Sequence, residues 1–372
     1  MSQAPGGEAP DGRADGARAG DGSAERPLLV TGGAGFIGAN LADRVASAGR
    51  GVVVLDALSR PGVEANLDWL RERHGTRVRA VVADIRDRAA LEEAVAGAGA
   101  VVHLAAQVAV TTSLADPLED FAVNAGGTLA LLEAVRRQPA PPPVVFASTN
   151  KVYGNLAGEP FERRGERWAP LDAGLLSHGI AEGRPLDLHT PYGCSKGVAD
   201  QYVLDYARQY GLRTAVLRMS CVYGPRQFGT EDQGWVAHFL LRALAGEEIA
   251  LFGDGRQVRD VLHVSDAVDA YLALLARIDR LAGRAFNLGG GPRNAVSLLE
   301  LIRAAETVVG RPVRARHEAE RAGDQRWFVA DTRLIERETG WRARLGWREG
   351  LGDLHRWLAT LSAPRRAGEV AA

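Results

Sequence analysis

A short apolar strand that runs directly into three regularly spaced glycines constrains the fold of this chain more than any other feature. Residues 28–31 have the composition of a buried strand, and they are followed, with G-x-x-G-x-x-G spacing, by Gly32, Gly35 and Gly38. In such a turn the first glycine permits a tight bend, the second lets the backbone approach a pyrophosphate, and the third lets the helix pack closely. The helix N-terminus directs its positive end at the phosphates. The spacing predicts a dinucleotide-binding turn.

Strand-like and helix-like segments alternate along the chain after this turn. Apolar residues recur with helical spacing over 36–48, 89–96, 124–137 and 192–210. Short apolar runs rich in β-branched residues occur at 28–31, 52–56, 78–83, 100–104, 144–148 and 214–219. Continuous apolar runs are typical of strands that are buried on both faces. Strands alternating with helices predict an α/β fold, namely a doubly wound parallel (Rossmann) sheet.

The organisation changes after residue 219, where glycine, arginine and turn signals interrupt the α/β rhythm. We expect a cofactor-binding domain over 26–219, with return segments near 261–288 that include a strand at 284–288. Residues 220–260 and 289–362 are expected to form a smaller C-terminal substrate-binding lobe. The ends of the chain, 1–25 and 363–372, have no apolar core and are expected to be disordered tails.

Composition excludes several classes of protein. The 372 residues carry a formal net charge of −1, and the basic residues form no block, so nothing favours nucleic acid or an anionic membrane as a partner. No apolar run approaches the ~20 residues of a membrane span. Two cysteines, Cys194 and Cys221, do not make a disulfide framework and favour a reducing, cytoplasmic location. His and Cys show no metal-binding spacing, so we expect no metal.

Tyr192 and Lys196 form the second informative motif, Tyr-Gly-Cys-Ser-Lys. Residues four apart on a helix lie on the same face. An ammonium beside a phenol favours the phenolate and lowers the phenol's pKa. This pair is therefore predicted to supply a proton acceptor that works near neutral pH.

Asp56 ends the second strand, about twenty residues beyond the glycines. A carboxylate at this point accepts hydrogen bonds from both ribose hydroxyls of adenosine and repels a 2′-phosphate, which favours NAD over NADP. Arg60 is a nearby cation that weakens this inference. Asp84, with Ile85, follows the third strand and is predicted either to contact adenine or to act as a capping aspartate.

Together these motifs resemble the extended short-chain dehydrogenase/reductase family, over roughly residues 27–360. The resemblance implies that Thr149 hydrogen-bonds the sugar hydroxyl being oxidised, that Tyr192 takes its proton, and that Lys196 tunes Tyr192 and holds the nicotinamide ribose. Asn124 matches a position that orders the active-site helix. The implied cofactor is NAD, with contacts from Gly32, Gly35, Phe36, Ile37, Gly38, Asp56, Arg60, Asp84, Ile85, Leu104, Ala105, Ala106, Gln107, Tyr192 and Lys196.

The two residues after Thr149 distinguish between subgroups of that family. Related 4,6-dehydratases carry Asp-Glu there, whereas this chain has Asn150 and Lys151, and an amide cannot replace a general acid. Longer phrases at 104–113, 148–154, 191–202 and 220–235 are similar to the CDP-paratose 2-epimerase group. The resemblance further implies that a nucleotide-diphosphate sugar is bound by Thr149, Asn150, Lys151, Arg259, Arg321 and Asp324, where Arg259 and Arg321 hold the diphosphate and Asp324 the nucleotide ribose.

The sequence therefore predicts an NAD-dependent epimerase of a nucleotide-linked hexose, which oxidises carbon 2 transiently and returns the hydride to the opposite face. Three alternatives stay open: epimerisation at carbon 4, net oxidation or decarboxylation, and a non-enzymatic dinucleotide-sensing scaffold. The family resemblance also suggests a homodimer or homotetramer, formed through helices near 124–137 and 192–210.

Overall fold

The computed structural model describes residues 26–321 and 324–362. Both predicted tails, 1–25 and 363–372, lie outside the described residues. No helix in the described ranges is long and apolar enough to cross a membrane.

The strands are two to six residues long. They are β1 (Leu28–Thr31), β2 (Val52–Asp56), β3 (Val78–Val82), β4 (Ala100–His103), β5 (Val144–Thr149), β6 (Phe161–Arg164), β7 (Arg167–Pro170), β8 (Thr214–Met219), β9 (Cys221–Tyr223), β10 (Ile249–Phe252), β11 (Val258–His263), β12 (Arg284–Leu288), β13 (Ala295–Ser297), β14 (Ala315–Glu318) and β15 (Trp327–Phe328).

The helices connect these strands and cover the sheets. They are α1 (Phe36–Ser47), α2 (Val63–His74), α3 (Arg88–Ala96), α4 (Val110–Ala115), α5 (Pro117–Phe121), α6 (Gly127–Arg136), α7 (Ala173–His178), α8 (Thr190–Tyr210), α9 (Trp235–Ala245), α10 (Val264–Leu275), α11 (Ile278–Leu281), α12 (Leu298–Val309), α13 (Arg333–Thr339) and α14 (Trp347–Ser362). A π-helical turn at Ala122–Gly126 joins α5 to α6, and 3₁₀ turns occur at Gly75–Arg77, Asn150–Tyr153 and Pro292–Asn294.

Seven parallel strands form the central sheet in the order β12-β8-β5-β4-β1-β2-β3. Each face is covered by its own apolar cluster, one built with α1, α2 and α10 and the other with α3, α6 and α8. The predicted doubly wound parallel sheet is confirmed. Because β1 lies between β4 and β2, the strand order reverses beside β1, and ligands bind at the carboxyl ends of strands where such a reversal occurs.

The predicted helix at 124–137 differs from the structure at its start. An α-helix covers Gly127–Arg136, and the residues before it form the π-helical turn. The hydroxyl of Thr128 donates to the carbonyl oxygen of Asn124 at 2.6 Å, which satisfies a backbone group within the widened turn. Such turns are frequent at functional sites, and apolar periodicity alone does not reveal them.

The C-terminal third of the chain adds smaller sheets and a third apolar cluster. Strand β11 pairs with β9, β13 and β15, while β10 pairs with β14. Helices α9, α12 and α14 pack around this cluster. Strand β12 returns to the central sheet beside β8, as the sequence predicts for 284–288. The exact division into a cofactor domain and a substrate lobe stays a prediction.

Candidate active site

The glycine-rich turn leaves no room for side chains. Gly32 has a left-handed φ of +67°, and a Cβ there would stand 2.7 Å from the backbone nitrogen of Ala105. A Cβ on Gly38 would stand 2.4 Å from the carbonyl oxygen of Gly32. On Gly35, by contrast, a Cβ would meet that oxygen at 3.1 Å and otherwise open space among the described residues. The turn is therefore closed toward the protein and open on the side where a pyrophosphate would approach.

Asp56 is held at the end of β2 by the turn itself. Its carboxylate accepts a hydrogen bond from the backbone of Ala34 at 3.0 Å and another from the backbone of Leu58 at 2.9 Å. Burial raises the pKa of Asp56, and these backbone bonds oppose the rise. Arg60 is half-buried, and burial lowers its pKa. The backbone bonds thus fix the orientation of the carboxylate.

The two residues predicted to contact adenine have protein partners in the structure. Asp84 accepts three hydrogen bonds of 2.8 Å from Arg86, and this contact lowers its pKa. The cap of α3 is Asp87 rather than Asp84. Ile85 is 4% exposed and packs in the core, so close to Gly127 that a Cβ there would be 2.6 Å away. The adenine contact stays a prediction.

Asn124 connects the loop after β4 to the catalytic helix. Its amide oxygen accepts the backbone N–H of Gln107 at 2.9 Å, and its amide nitrogen donates to the Gln107 carbonyl at 3.0 Å. The same nitrogen donates to the hydroxyl of Ser195 at 3.0 Å. Leu104, Ala105 and Ala106 form the rest of this partly buried loop. The position of Asn124 agrees with a role in ordering α8.

Thr149, Tyr192 and Lys196 meet where β5 ends against α8, and they are 8%, 8% and 3% exposed. The hydroxyl of Thr149 is hydrogen-bonded to the phenol of Tyr192. The ammonium of Lys196 lies 4.1 Å from the ring centroid of Phe146. The three predicted catalytic side chains are therefore assembled in a site that is largely shielded from water.

One electrostatic expectation is wrong for the ligand-free protein. Burial raises the pKa of Tyr192 to about 12, although the hydrogen bond from Thr149 opposes this. Burial also lowers the pKa of Lys196 to about 7, against the negative charges of Asp200 and Asp120. Lys196 does not lower the pKa of Tyr192, because desolvation dominates both groups.

The residues predicted to bind substrate divide into two groups. Arg259 donates to Oδ1 of Asp324 at 2.5 Å, and the ammonium of Lys151 lies 4.0 Å from the same oxygen. Asn150 contacts Gln325 at 3.4 Å beside them. Asn150 and Lys151 directly follow Thr149 in the chain, and their side chains connect it to Gln325 and Asp324.

Arg321 has other partners. It donates to the carbonyl oxygen of Glu231 at 3.1 Å and to its carboxylate at 2.8 Å, and it lies 3.6 Å above the ring of Phe252. Asp324, predicted to bind the nucleotide ribose, is paired with Arg259. Convergence of Arg259 and Arg321 on one diphosphate stays a prediction, and it requires Arg321 to exchange Glu231 for the ligand.

Comparison with known proteins decides the family. The sequence pattern of the NAD dependent epimerase/dehydratase family matches residues 28–289. The chain belongs to this family. CDP-paratose 2-epimerase of Salmonella typhi is 41% identical over 341 residues, covering 90% of this chain and 99% of that protein.

Solved epimerase/dehydratase structures share the fold. UDP-glucose 4-epimerase of Thermotoga maritima, solved with UDP-glucose, superposes with a TM-score of 0.77 at 30% identity and covers 91% of this chain and 100% of that one. The dTDP-glucose 4,6-dehydratase DesIV of Streptomyces venezuelae, solved with NAD, gives 0.78 at 31% identity, covering 90% and 97%. NAD is the cofactor of this epimerase/dehydratase family member, and the turn of Gly32, Gly35 and Gly38 fits its pyrophosphate.

Asp120 is a buried neighbour of the candidate site that sequence reasoning missed. The hydroxyl of Ser195 donates to its carboxylate at 2.5 Å, and the side chains of Gln107 and Asn124 donate to it at 2.8 and 3.2 Å. Its negative charge raises the pKa of both Tyr192 and Lys196. Asp120 lies in α5, more than seventy residues before its partners on α8, and no motif marks it.

A buried ion pair beneath the catalytic helix was also missed. Arg218 on β8 donates to both oxygens of Asp200 at 2.9 Å, and the two side chains are 6% and 0% exposed. A third bond joins Arg218 to the hydroxyl of Tyr153 at 3.1 Å, which donates to Asn287 at 2.8 Å. This network connects α8 to β8, to the turn after Thr149 and to β12. In residues 26–321 and 324–362 no cluster of His, Cys, Asp or Glu is arranged to hold a metal.

Proposed function

We propose that this chain is an NAD-dependent epimerase that inverts carbon 2 of a sugar linked to a nucleoside diphosphate. The observation that carries the proposal is the buried contact of Thr149 and Tyr192 beside Lys196, with Asn150 and Lys151 directly after the threonine. The 41% identity to a CDP-paratose 2-epimerase supports the same chemistry.

The arrangement provides each group that a redox-neutral inversion requires. NAD, held at the turn of Gly32, Gly35 and Gly38, would supply reversible hydride transfer, and inversion would require the keto sugar to turn in the pocket before the hydride returns. Thr149 holds the sugar hydroxyl through its own hydroxyl, and Tyr192 takes the proton of that hydroxyl and later returns it. Lys196 holds the nicotinamide ribose with its ammonium. Because the pocket is largely shielded, the proton stays with Tyr192 between the two half-reactions rather than passing to bulk water.

Asn150 and Lys151 argue against dehydration. A 4,6-dehydratase requires a carboxylic acid and a carboxylate beside the catalytic threonine, to protonate the leaving hydroxyl and to remove a carbon-bound proton. Here an amide, which cannot donate a proton in this way, and an ammonium occupy those positions. The side chain of Asn150 is 7% exposed and turned toward Gln325.

Epimerisation at carbon 4 is the second candidate. It is favoured by relatives such as the UDP-glucose 4-epimerase of Bacillus subtilis, which is 32% identical over 351 residues. NMR of the products from a panel of CDP-, UDP- and dTDP-linked hexoses separates the two, because inversion at carbon 2 or carbon 4 changes different ring couplings.

Turnover in heavy water tests the hydride mechanism on the same samples. A hydride that leaves carbon 2 and returns never meets solvent, so the inverted carbon is expected to carry protium, with no net NADH formed. Deuterium at that carbon would show deprotonation and reprotonation instead and would end this proposal. Product inverted only at carbon 4 would replace it with the second candidate.

The same proposal includes a cytoplasmic homo-oligomer. Neither Cys194 nor Cys221 forms a disulfide. Apolar side chains on neighbouring helices are exposed, with Leu118 at 82% and Phe121 at 54% on α5 and Tyr210 at 52% on α8. We expect a homodimer or homotetramer that covers this face. Light scattering on the purified chain and on Leu118→Glu checks it, since a variant that assembles like the parent would place the interface elsewhere.

A further inference from the structure

Lysine is almost absent from this chain. Forty-three of its forty-five basic residues are arginines, and the two lysines are Lys151 and Lys196. Both lie at the candidate active site, and every basic residue outside it is an arginine. For Lys196 the chemistry explains the choice, because a compact ammonium must fit beside Tyr192. The same selectivity at position 151 indicates that an ammonium, and not merely a positive charge, is required there.

The two cations differ in ways that matter in a small site. A guanidinium is planar and presents a rigid fork of donors, whereas an ammonium is a compact point charge whose pKa shifts readily on burial. Burial lowers the pKa of Lys151, and the neighbouring charge of Arg259 acts in the same direction. Asp324 opposes this shift. The small ammonium of Lys151 and the guanidinium of Arg259 therefore share a mostly buried environment.

The backbone of Lys151 is fixed against the catalytic groups. Its N–H donates to the hydroxyl oxygen of Thr149 at 3.2 Å. Its carbonyl oxygen accepts the N–H of Gly154 at 3.1 Å, and a Cβ on Gly193, the residue after Tyr192, would stand 3.4 Å from that oxygen. The first turn of α8 thus packs on Lys151, and the residue cannot move without disturbing Thr149 and Tyr192.

The side chain of Lys151 reaches Asp324 and its partner Arg259, the arginine to which the family resemblance gives a diphosphate contact. Its ammonium lies 4.0 Å from Oδ1 of Asp324, and Arg259 donates to the same oxygen at 2.5 Å. The side chain is 23% exposed, that of Asp324 is 26% exposed and that of Arg259 is 8% exposed. One lysine side chain therefore spans the distance from the catalytic hydroxyl to the Arg259–Asp324 pair.

We propose that the ammonium of Lys151 binds the sugar-proximal phosphate of the nucleotide sugar, jointly with Arg259, and thereby sets which end of the sugar faces Tyr192. The inference rests on the proposed function. Carbon 2 is bonded to the anomeric carbon that bears the diphosphate, whereas carbon 4 lies across the ring. A phosphate held one side chain away from Thr149 brings the anomeric end, and with it carbon 2, to the catalytic hydroxyls.

The presence of two lysines makes the contact directly measurable. Holoprotein labelled with ¹³C at the lysine ε-carbon gives two side-chain signals, and Lys151→Met assigns them by removing one. Titration with CDP and with UDP is expected to shift the Lys151 signal and to raise its pKa, because a bound phosphate favours the ammonium. A Lys151 signal that stays unchanged while calorimetry shows nucleotide bound would overturn the inference.

Affinity supplies the second measurement. Removing a charge-assisted hydrogen bond weakens binding by about 10- to 100-fold, so Lys151→Met is expected to bind CDP and UDP that much more weakly. Lys151→Arg keeps the positive charge and is expected to recover part of the affinity. It remains a usable test if Lys151→Met does not fold. Arg356→Met, at a side chain 72% exposed on α14, is the matched control and is expected to bind as the parent does.

Equal affinity in the parent, Lys151→Met and Arg356→Met would refute the contact. CDP and UDP carry no sugar, so these results do not depend on which carbon is inverted. Product inverted only at carbon 4 would defeat the proposed function while leaving the phosphate contact of Lys151 in place.

Discussion

Asp120→Asn removes one buried negative charge from the catalytic site while keeping nearly the same shape. The carboxylate accepts hydrogen bonds from Ser195, Gln107 and Asn124. An asparagine oxygen can keep the bonds from Gln107 and Asn124. Its amide group can donate to Ser195, whose hydroxyl already lies 3.2 Å from the carbonyl oxygen of Tyr192 and can donate there instead. The variant is therefore expected to fold with its hydrogen bonds rearranged but satisfied.

The magnitude follows from the charges that face Lys196. Burial lowers the pKa of Lys196 to about 7, and the negative charges of Asp200 and Asp120 limit this fall. Arg218 neutralises Asp200, which leaves Asp120 as the unpaired negative charge of the two. His103 is neutral, because burial lowers its pKa to about 3. Loss of a nearby charge shifts a pKa by about 1 unit. At pH 7 the ammonium fraction of Lys196 would then fall from about one half to about one tenth.

Lysine-selective NMR of the ligand-free protein measures this shift directly, because Lys196 gives one of two signals. Asp205→Asn, on the same helix with a side chain 43% exposed, is the matched control and should leave the Lys196 titration unchanged. The variant should also lower the pKa of Tyr192, since Asp120 raises it. A Lys196 pKa that is equal in the parent and in Asp120→Asn would refute the reasoning, as would a shift of equal size in Asp205→Asn.

Other variants test the remaining roles. Tyr192→Phe is expected to keep NAD binding and to lose turnover by about 10²–10⁴-fold; near-parental activity would exclude it as the proton acceptor. Asp56→Ala should weaken NAD and relax discrimination against NADP, and calorimetry with unchanged affinity for both would remove that role. Arg259→Ala and Arg321→Ala should each raise the Michaelis constant more than they lower turnover, because a diphosphate keeps its charge through the reaction. A defect confined to turnover would place either residue at the reacting carbon.

The central sheet could be predicted because its signals are local. Runs such as 52–55 and 215–217 are apolar throughout, as is typical of strands that are buried on both faces. The glycines at 32, 35 and 38 are recognisable by their spacing, and a Cβ would be obstructed by backbone atoms at Gly32 and Gly38. The π-helical turn at Ala122–Gly126 could not be predicted, because a single extra residue in a helical turn leaves the apolar period almost unchanged.

The candidate catalytic side chains were found for a different reason. Thr149, Tyr192 and Lys196 occur in phrases that resemble a known family, and their catalytic roles stay predictions from that resemblance. Asp120 and the Asp200–Arg218 pair have no such phrase. These residues meet only in the folded protein. Asp200 lies within α8 and Arg218 lies on β8, so nothing in the local sequence indicates their contact. Charge composition counts such residues but does not show which of them are buried together.

The error about Tyr192 has the same origin and clarifies the chemistry. Helical spacing places Lys196 near Tyr192, but the sign of a pKa shift depends on burial as well as on charge. Burial removes water from both Tyr192 and Lys196. The phenol therefore keeps its proton, and about half of the Lys196 side chains are neutral near pH 7. A site in this state does not abstract protons from arbitrary hydroxyls. A positive charge beside the phenol favours the phenolate, and the nicotinamide ring of oxidised NAD would supply such a charge at this site.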